Sequence, residues 1–177
     1  MIPSFDEQVR WGLALPFFIA AALLESALFP LPGLLGARAD LLLTLAASWA
    51  VVRSCEEVMI AAPPAALLVG LLGTGPIGVP LLAMLSPVGL ALALRHRNPN
   101  PKLASVCTVV ALSTVIAIAV ELVVRFLGGE QRFNLAGIGT VLAGETIANT
   151  LLAAVAYRLL CIGRKRKLAR RTRLSLS

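Results

Sequence analysis

Long and nearly uninterrupted apolar runs are the feature that most limits what this sequence can fold into. They cover residues 11–29, 41–52, 58–72, 77–94, 103–127 and 136–162, and only short polar or Pro- and Gly-rich breaks separate them. Lipid offers the backbone no hydrogen-bond partner, so a spanning segment must be a helix or part of a closed barrel. Barrel strands alternate apolar and polar residues, and these runs do not. The runs therefore predict transmembrane helices.

The composition agrees with a protein that is embedded in a membrane. Hydrophobic residues make up 58% of the 177 residues, charged residues only 14%, and the mean hydropathy is +0.88. This leaves too little polar surface for a water-soluble domain. We expect an all-α polytopic membrane protein with about six transmembrane helices, made of one transmembrane domain (residues 1–163) and a basic cytoplasmic tail (residues 164–177). The second run is short for a bilayer of about 30 Å.

The basic residues predict the orientation. If both termini are cytoplasmic, 13 of the 16 Lys and Arg residues lie inside and only Arg38, Arg125 and Arg132 lie outside. An excess of basic residues marks the cytoplasmic side. The net charge of +7 is concentrated in the terminal segment 164–173, which suits anionic membrane lipids and gives no nucleic-acid-binding face.

Four acidic residues lie in or near the predicted spans, namely Glu25, Asp40, Glu121 and Glu145. Ionisable residues inside a membrane are costly, so each is a functional candidate. A structural role is the alternative for all of them. Glu121 and Arg125 have the i, i+4 spacing of a helical ion pair. Glu25 could reach the membrane surface or pair with Arg38.

The turn between the first two runs, residues 30–40, contains two prolines and two glycines and ends in Arg38-Ala39-Asp40. This composition predicts a rigid reversal of the chain. Asp40 directly precedes an apolar run, where its carboxylate would cap a helix and meet the positive end of the helix dipole. The sequence thus predicts a partly buried element that organises the chain around it.

Small and polar residues in the later runs predict helix contacts. Glu145 and Asn149 share one helix face by their i, i+4 spacing, which favours a helix–helix contact over a substrate or ion site. Pro63 and Pro64 should interrupt the third run, and Pro80 and Pro87 should kink the fourth. Structural and partner-contact candidates in the sequence are Arg38, Asp40, Pro63, Pro64, Gly70, Gly78, Glu145 and Asn149.

Residues that would indicate an enzyme are not arranged in any known pattern. The sequence has no nucleophile-elbow serine and no phosphate-binding loop, and its single histidine, His96, lies in a basic loop. The three cysteines are widely separated and predict neither a disulfide framework nor a metal site. We therefore expect a protein without catalytic activity, cofactor or metal.

The string Gly36-Ala37-Arg38-Ala39-Asp40-Leu41-Leu42-Leu43, after a first span that ends in proline, resembles the MreD family of bacterial rod shape-determining membrane proteins. Two further segments resemble the family, the stretch Gly70-Leu71-Leu72 with Pro76-Ile77-Gly78, and Glu145, Asn149 and Tyr157 in the last span. Ala39 departs from the family, which usually has proline before the aspartate.

The resemblance implies a non-enzymatic scaffold in the inner membrane. Such a protein would bind an MreC-like bitopic protein, and through it act with MreB, a RodA-type polymerase and a penicillin-binding transpeptidase in lateral peptidoglycan synthesis. Whether the protein forms a homodimer stays open. Six spans with inward termini also look like the substrate-binding subunits of energy-coupling-factor vitamin transporters, which is the alternative function. Such a subunit needs convergent polar and aromatic groups near its outer face, and this chain has only one Tyr and two Trp.

Overall fold

The described parts of the chain are helical. The computed structural model describes residues 5–28, 39–73, 77–97, 102–129 and 135–174, and these ranges contain no strand. Their helices are α1 (Phe5–Leu28), α2 (Leu41–Val52), α3 (Cys55–Leu72), α4 (Gly78–Ala83), α5 (Leu85–Arg97), α6 (Leu103–Leu127) and α7 (Leu135–Leu174). The predicted all-α class is confirmed.

Four apolar segments are long enough to cross a membrane. They are Cys55–Leu72, Gly78–Arg95, Leu103–Leu127 and Gly137–Ile162, and the second of these comprises α4 and most of α5. The second predicted span is a shorter apolar helix, Leu41–Val52, and the first lies within the 24-residue helix α1, of which Ala14–Ala27 is an apolar segment. The chain therefore has the helices of a polytopic membrane protein, and its second predicted span is short.

Helix α2 is the centre of the bundle. Ten of its 12 residues are buried, and it packs against α1, α3, α5, α6 and α7. A helix surrounded by other helices can be apolar on every face, which explains its sequence Leu-Leu-Leu-Thr-Leu-Ala-Ala-Ser-Trp-Ala-Val-Val. The short apolar run is thus a core helix with neighbours on all sides.

Two sets of contacts show that α1 and α2 are antiparallel. Near the end of α1, Glu25 contacts the first turn of α2 at Leu42. In the middle of α1, the rings of Phe17 and Phe18 pack against Trp49 in the last turns of α2. The later residues of α1 therefore pair with the earlier residues of α2.

The prolines act differently in the third and fourth runs. Helix α3 continues from Cys55 to Leu72 through both Pro63 and Pro64, so the predicted interruption is wrong. Because proline removes an N–H donor and crowds the preceding turn, this helix depends on its neighbours, and α3 packs against α1, α2, α4 and α5. The fourth run does break, at Met84 between α4 and α5.

Helix α7 is longer than the last predicted span. It begins at Leu135 and continues to Leu174. The basic segment from Arg164, predicted as a separate tail, therefore starts as an extension of the same helix.

Candidate functional site

Two carboxylates cap the beginning of α2. Asp40 Oδ1 accepts a hydrogen bond of 2.7 Å from the Leu43 N–H, which confirms the predicted N-cap. Glu25 Oε2, from α1, accepts a bond of 2.7 Å from the Leu42 N–H. The first N–H groups of a helix have no partner within the helix and form the positive end of its dipole. Both carboxylates therefore stabilise the start of the central helix.

Asn149 connects the start of α2 to two further helices, its own helix α7 and α6. Its Oδ1 accepts a bond of 2.8 Å from the Asp40 N–H, and its Nδ2 donates one of 3.0 Å to Thr114 Oγ1 in α6. Thr114 in turn donates to the Val110 carbonyl. Asn149 is 1% exposed, so both bonds are shielded. We call Glu25, Asp40, Thr114 and Asn149 the polar cluster, and it joins α1, α2, α6 and α7.

The two other acidic candidates lie on the helices that flank the polar cluster. Glu121 Oε1 accepts a bond of 2.6 Å from Arg125, which confirms the predicted ion pair, although both side chains are nearly half exposed. Glu145 is one helical turn before Asn149 on the same face of α7.

The role predicted for Glu25 is refined by its bond to α2. Glu25 is partly buried and bonded to backbone, in agreement with a structural role. Its predicted alternative partner, Arg38, lies outside the described residues, as does most of the turn 30–40. The rigidity of that turn is therefore untested, and only its last residue, Asp40, is placed.

Three aromatic residues, Phe17, Phe18 and Trp49, form an aromatic cluster near the carboxyl end of α2, together with the buried carboxylate of Glu57. Trp49 Nε1 donates a bond of 2.7 Å to Glu57 Oε2 in the first turn of α3, and Glu57 is only 4% exposed. The guanidinium carbon of Arg53 lies 4.5 Å from the centre of the Trp49 ring. Sequence reasoning missed this cluster, because the charged residues of 53–57 look like an ordinary polar break between two spans.

Arg95 closes the carboxyl end of α2. Its Nη2 donates to the carbonyl oxygens of Val51 and Arg53. The last carbonyl groups of a helix lack partners and carry the negative end of the dipole, so a cation there is favourable. The central helix thus has carboxylates at its beginning and a guanidinium at its end. The signal available in the sequence was an arginine at the end of an apolar run.

The predicted contact residues are divided between the interior and the surface. Gly70 is buried, and a Cβ at this position would lie 2.5 Å from the Ile77 carbonyl oxygen. This glycine allows the close approach of α3 to the start of α4. Pro64 and Gly78 are exposed and Pro63 is partly exposed. Gly70 and Asn149 therefore serve internal packing, while Pro64 and Gly78 can face lipid or a partner.

A shallow groove lies between α1 and α3. It has a volume of about 280 Å³, and its lining residues are Gly12, Ala14, Leu15, Glu57, Ile60 and Ala61. Three of these six residues are glycine or alanine. Small residues of this kind let another transmembrane helix approach closely.

The polar groups between the helices are suited to holding the helices together. Within the described ranges, no group of three or more His, Cys, Asp or Glu residues is placed to bind a metal ion. Three buried hydroxyls in these ranges, of Thr44, Ser48 and Ser113, have no hydrogen-bond partner, and all three lie on α2 or α6. Such groups can bond across helix interfaces.

The apolar helices of the bundle define a class, that of helical polytopic membrane proteins, here with a buried central helix. Comparisons with protein-family models, with curated proteins and with solved structures give no match. The class is therefore established by the apolar helices alone.

Proposed function

We propose that this protein is a non-enzymatic membrane scaffold of the bacterial cell-elongation machinery. It would bind an MreC-like bitopic protein and support lateral peptidoglycan synthesis, together with MreB, a RodA-type polymerase and a penicillin-binding transpeptidase. The proposal rests on the resemblance to the MreD family described above.

The observation that carries the proposal is the position of the family-like string. Its Asp40 caps the central helix, and Leu42 and Leu43 are fully buried in the core. Asn149, which also belongs to the resemblance, bonds to Asp40. Two residues that carry the resemblance, far apart in the sequence, therefore meet at one point, as expected if the resemblance reflects a common fold.

A scaffold role also agrees with how the carboxylates are used. Those of Glu25 and Asp40 accept bonds from the backbone of α2, that of Glu57 from Trp49, and that of Glu121 from Arg125. Each of these four carboxylates bonds to a helix end or to a neighbouring side chain, and Glu57, although it lines the groove between α1 and α3, is only 4% exposed. A general acid or base would instead have to face a substrate.

The groove between α1 and α3 is the surface that we propose for the transmembrane helix of the partner. Half of its lining residues are glycine or alanine, and Ile60 in its wall is one of several exposed apolar residues of α3, which also include Met59, Leu67 and Leu71. In lipid, helices associate through close packing and not through a hydrophobic driving force. A groove with glycine and alanine in its walls provides that packing. The exposed Gly78 at the start of α4 is a second, smaller candidate.

Co-purification of glycine variants with an MreC-like bitopic partner tests the proposal. At Gly12 a Cβ would have nothing within 4 Å, so Gly12→Leu should fill the groove without disturbing the fold. We expect recovery of the partner to fall about fivefold or more, which corresponds to about 1 kcal/mol of binding free energy.

Gly139 supplies the matched control. It is also exposed, and a Cβ there would also have nothing within 4 Å, but it lies on α7. Gly139→Leu should leave recovery unchanged. Equal losses in both variants would reject the groove as the contact surface. If the purified protein binds no such partner and retains a vitamin, the transporter-subunit function replaces the scaffold function.

A further inference from the structure

Two arginine side chains meet at the carboxyl end of α2. Arg53 is the C-cap residue of this helix, and Arg95, from α5, donates to the carbonyl oxygens of Val51 and of Arg53 itself. Both arginines are partly exposed. Two basic side chains are therefore held at one point of the bundle, where α2 and α5 end and α3 begins.

The guanidinium of Arg53 is positioned without the use of its hydrogen-bond donors. Its central carbon lies 4.5 Å from the centre of the Trp49 ring. That ring is fixed in turn by its bond to Glu57 and by contacts with two phenylalanine rings of α1. Among the described residues, the Arg53 guanidinium donates no hydrogen bond and has no carboxylate within 4 Å. Its five N–H donors can therefore bind a ligand.

Arg95 also keeps donors for a further partner. Its Nη2 group supplies both bonds to the end of α2, which leaves the Nε–H and the two N–H groups of Nη1. In the part of the chain that the structure describes, no carboxylate forms an ion pair with Arg95. Two neighbouring guanidinium groups, neither of them paired with a carboxylate, attract an anion.

The two arginines lie where two membrane spans end. Arg95 is the last residue of the span Gly78–Arg95, and the span of α3 starts at Cys55, two residues after Arg53. The ends of both spans therefore meet at one membrane surface. The headgroups of lipids, with their phosphates, lie at this level, directly outside the hydrocarbon core.

An exposed apolar strip on α5 leads away from Arg95. Leu85 and Leu92 are 66% and 52% exposed, and their i, i+7 spacing places them on one face of the helix. Arg95 follows three residues after Leu92, at the edge of that face. From Leu85 to Arg95 the helix rises about 15 Å, which is half of a hydrocarbon core of about 30 Å. The strip therefore has the length of one acyl chain in its leaflet.

We propose that Arg53 and Arg95 bind the phosphate of an anionic phospholipid, whose acyl chain lies along Leu85 and Leu92. A guanidinium binds phosphate through two parallel charge-assisted hydrogen bonds. A zwitterionic lipid would bring its own ammonium group to two arginines, so a lipid without one, such as phosphatidylglycerol, is favoured. The site is separate from the basic segment 164–177, and the inference is independent of the proposed scaffold function.

Native mass spectrometry of the full-length protein, titrated with phosphatidylglycerol in a neutral detergent, tests the site. Arg53→Gln removes the guanidinium without breaking a hydrogen bond of the described fold. We expect about tenfold weaker binding, because the loss of a hydrogen bond between charged groups lowers an affinity by a factor of about ten or more.

Arg158→Gln is the matched control. Arg158 is exposed and lies one turn before the end of the last span. Because α6 and α7 each cross the membrane once after Arg95, Arg158 is near the same surface. Its substitution removes the same charge and should leave the affinity for phosphatidylglycerol unchanged. Equal losses of binding in the two variants would reject the site.

Competition experiments with the unaltered protein identify the source of the phosphate. Inorganic phosphate at the concentration of the lipid should not displace phosphatidylglycerol, because it cannot use the apolar strip. Its displacement would show that the site takes soluble phosphate, and would overturn the lipid assignment. Phosphatidylcholine should bind more weakly than phosphatidylglycerol, and equal binding of the two lipids would overturn the preference for an anionic one.

Arg53→Lys separates the shape of the guanidinium from its charge, and it replaces Arg53→Gln if that variant fails to fold. Lysine keeps the positive charge and can keep the contact with the Trp49 ring, but an ammonium has no planar fork of donors for a phosphate. We expect weaker binding of phosphatidylglycerol than in the unaltered protein. An unchanged affinity would mean that positive charge alone attracts the lipid, and would overturn the site.

Discussion

Asn149 shows how one amide can hold a membrane bundle together. It accepts from the backbone of Asp40 and donates to Thr114, and both bonds are shielded from water. Asn149→Ala would leave the Asp40 N–H without its partner. Hydrogen bonds between transmembrane helices average about 0.6 kcal/mol and reach about 1.7 kcal/mol, so we expect a loss of about 1–2 kcal/mol in the free energy of unfolding, measured in detergent.

The neighbouring Thr150 is the control for Asn149. Its hydroxyl donates to the Thr146 carbonyl of its own helix, so Thr150→Ala should cost less than about 0.5 kcal/mol. A double-mutant cycle of Asn149→Ala with Thr114→Val should show coupling, because the two side chains share a bond. Additive effects would mean that this bond contributes nothing to stability.

Two substitutions of Asp40 test whether its carboxylate caps the start of the central helix. Asp40→Ala removes the acceptor for the Leu43 N–H and should lower the free energy of unfolding by about 0.5–2 kcal/mol. Asp40→Asn keeps a good capping oxygen and should recover most of this loss. Thermal unfolding of the two variants in detergent measures the difference. If alanine is as stable as asparagine, the carboxylate does not cap α2 in the membrane protein.

At the scale of the helices, Arg95 should matter because it satisfies the last carbonyls of α2. Arg95→Ala should destabilise the protein by about 1–2 kcal/mol, because it removes a charged donor from a helix end. Arg158→Ala, on an exposed position of α7, is the control and should change stability by less than about 0.5 kcal/mol. A similar effect of both variants on chemical unfolding would indicate a general role of positive charge and no specific cap.

The close approach of α3 to Ile77, at the start of α4, depends on the absence of a side chain at Gly70. Gly70→Ala would place its Cβ 2.5 Å from the Ile77 carbonyl oxygen, so the two helices must move apart. We expect lower thermal stability. The control, Gly89→Ala, is in α5 and has open space around its Cβ; it should be neutral or stabilising by up to about 1 kcal/mol, because alanine favours helix. Equal stability of both variants would contradict the close approach.

The bounds of single helices could be predicted well from the sequence where an apolar run alone defines them. Leu41–Val52 and Leu103–Leu127 were predicted to the residue. Whether α3 would continue through its two prolines was not predictable, because that depends on the helices packed around it. The Asp40–Asn149 bond, 109 residues apart in sequence, was also beyond reach, although each residue was a candidate. Glu57 and Arg95 were missed because charged residues at span ends usually face water.

At the scale of the whole molecule, the basic residues predict the orientation. With both termini cytoplasmic, 13 of 16 basic residues lie inside, and the six predicted spans would also bring both termini to one side. Reporter fusions after Ser177 and in the loop at Asn98 should therefore both show a cytoplasmic signal. A fusion after Gly129, at the other end of α6, is the control and should show a periplasmic one. A periplasmic reporter at Ser177 would reverse the orientation.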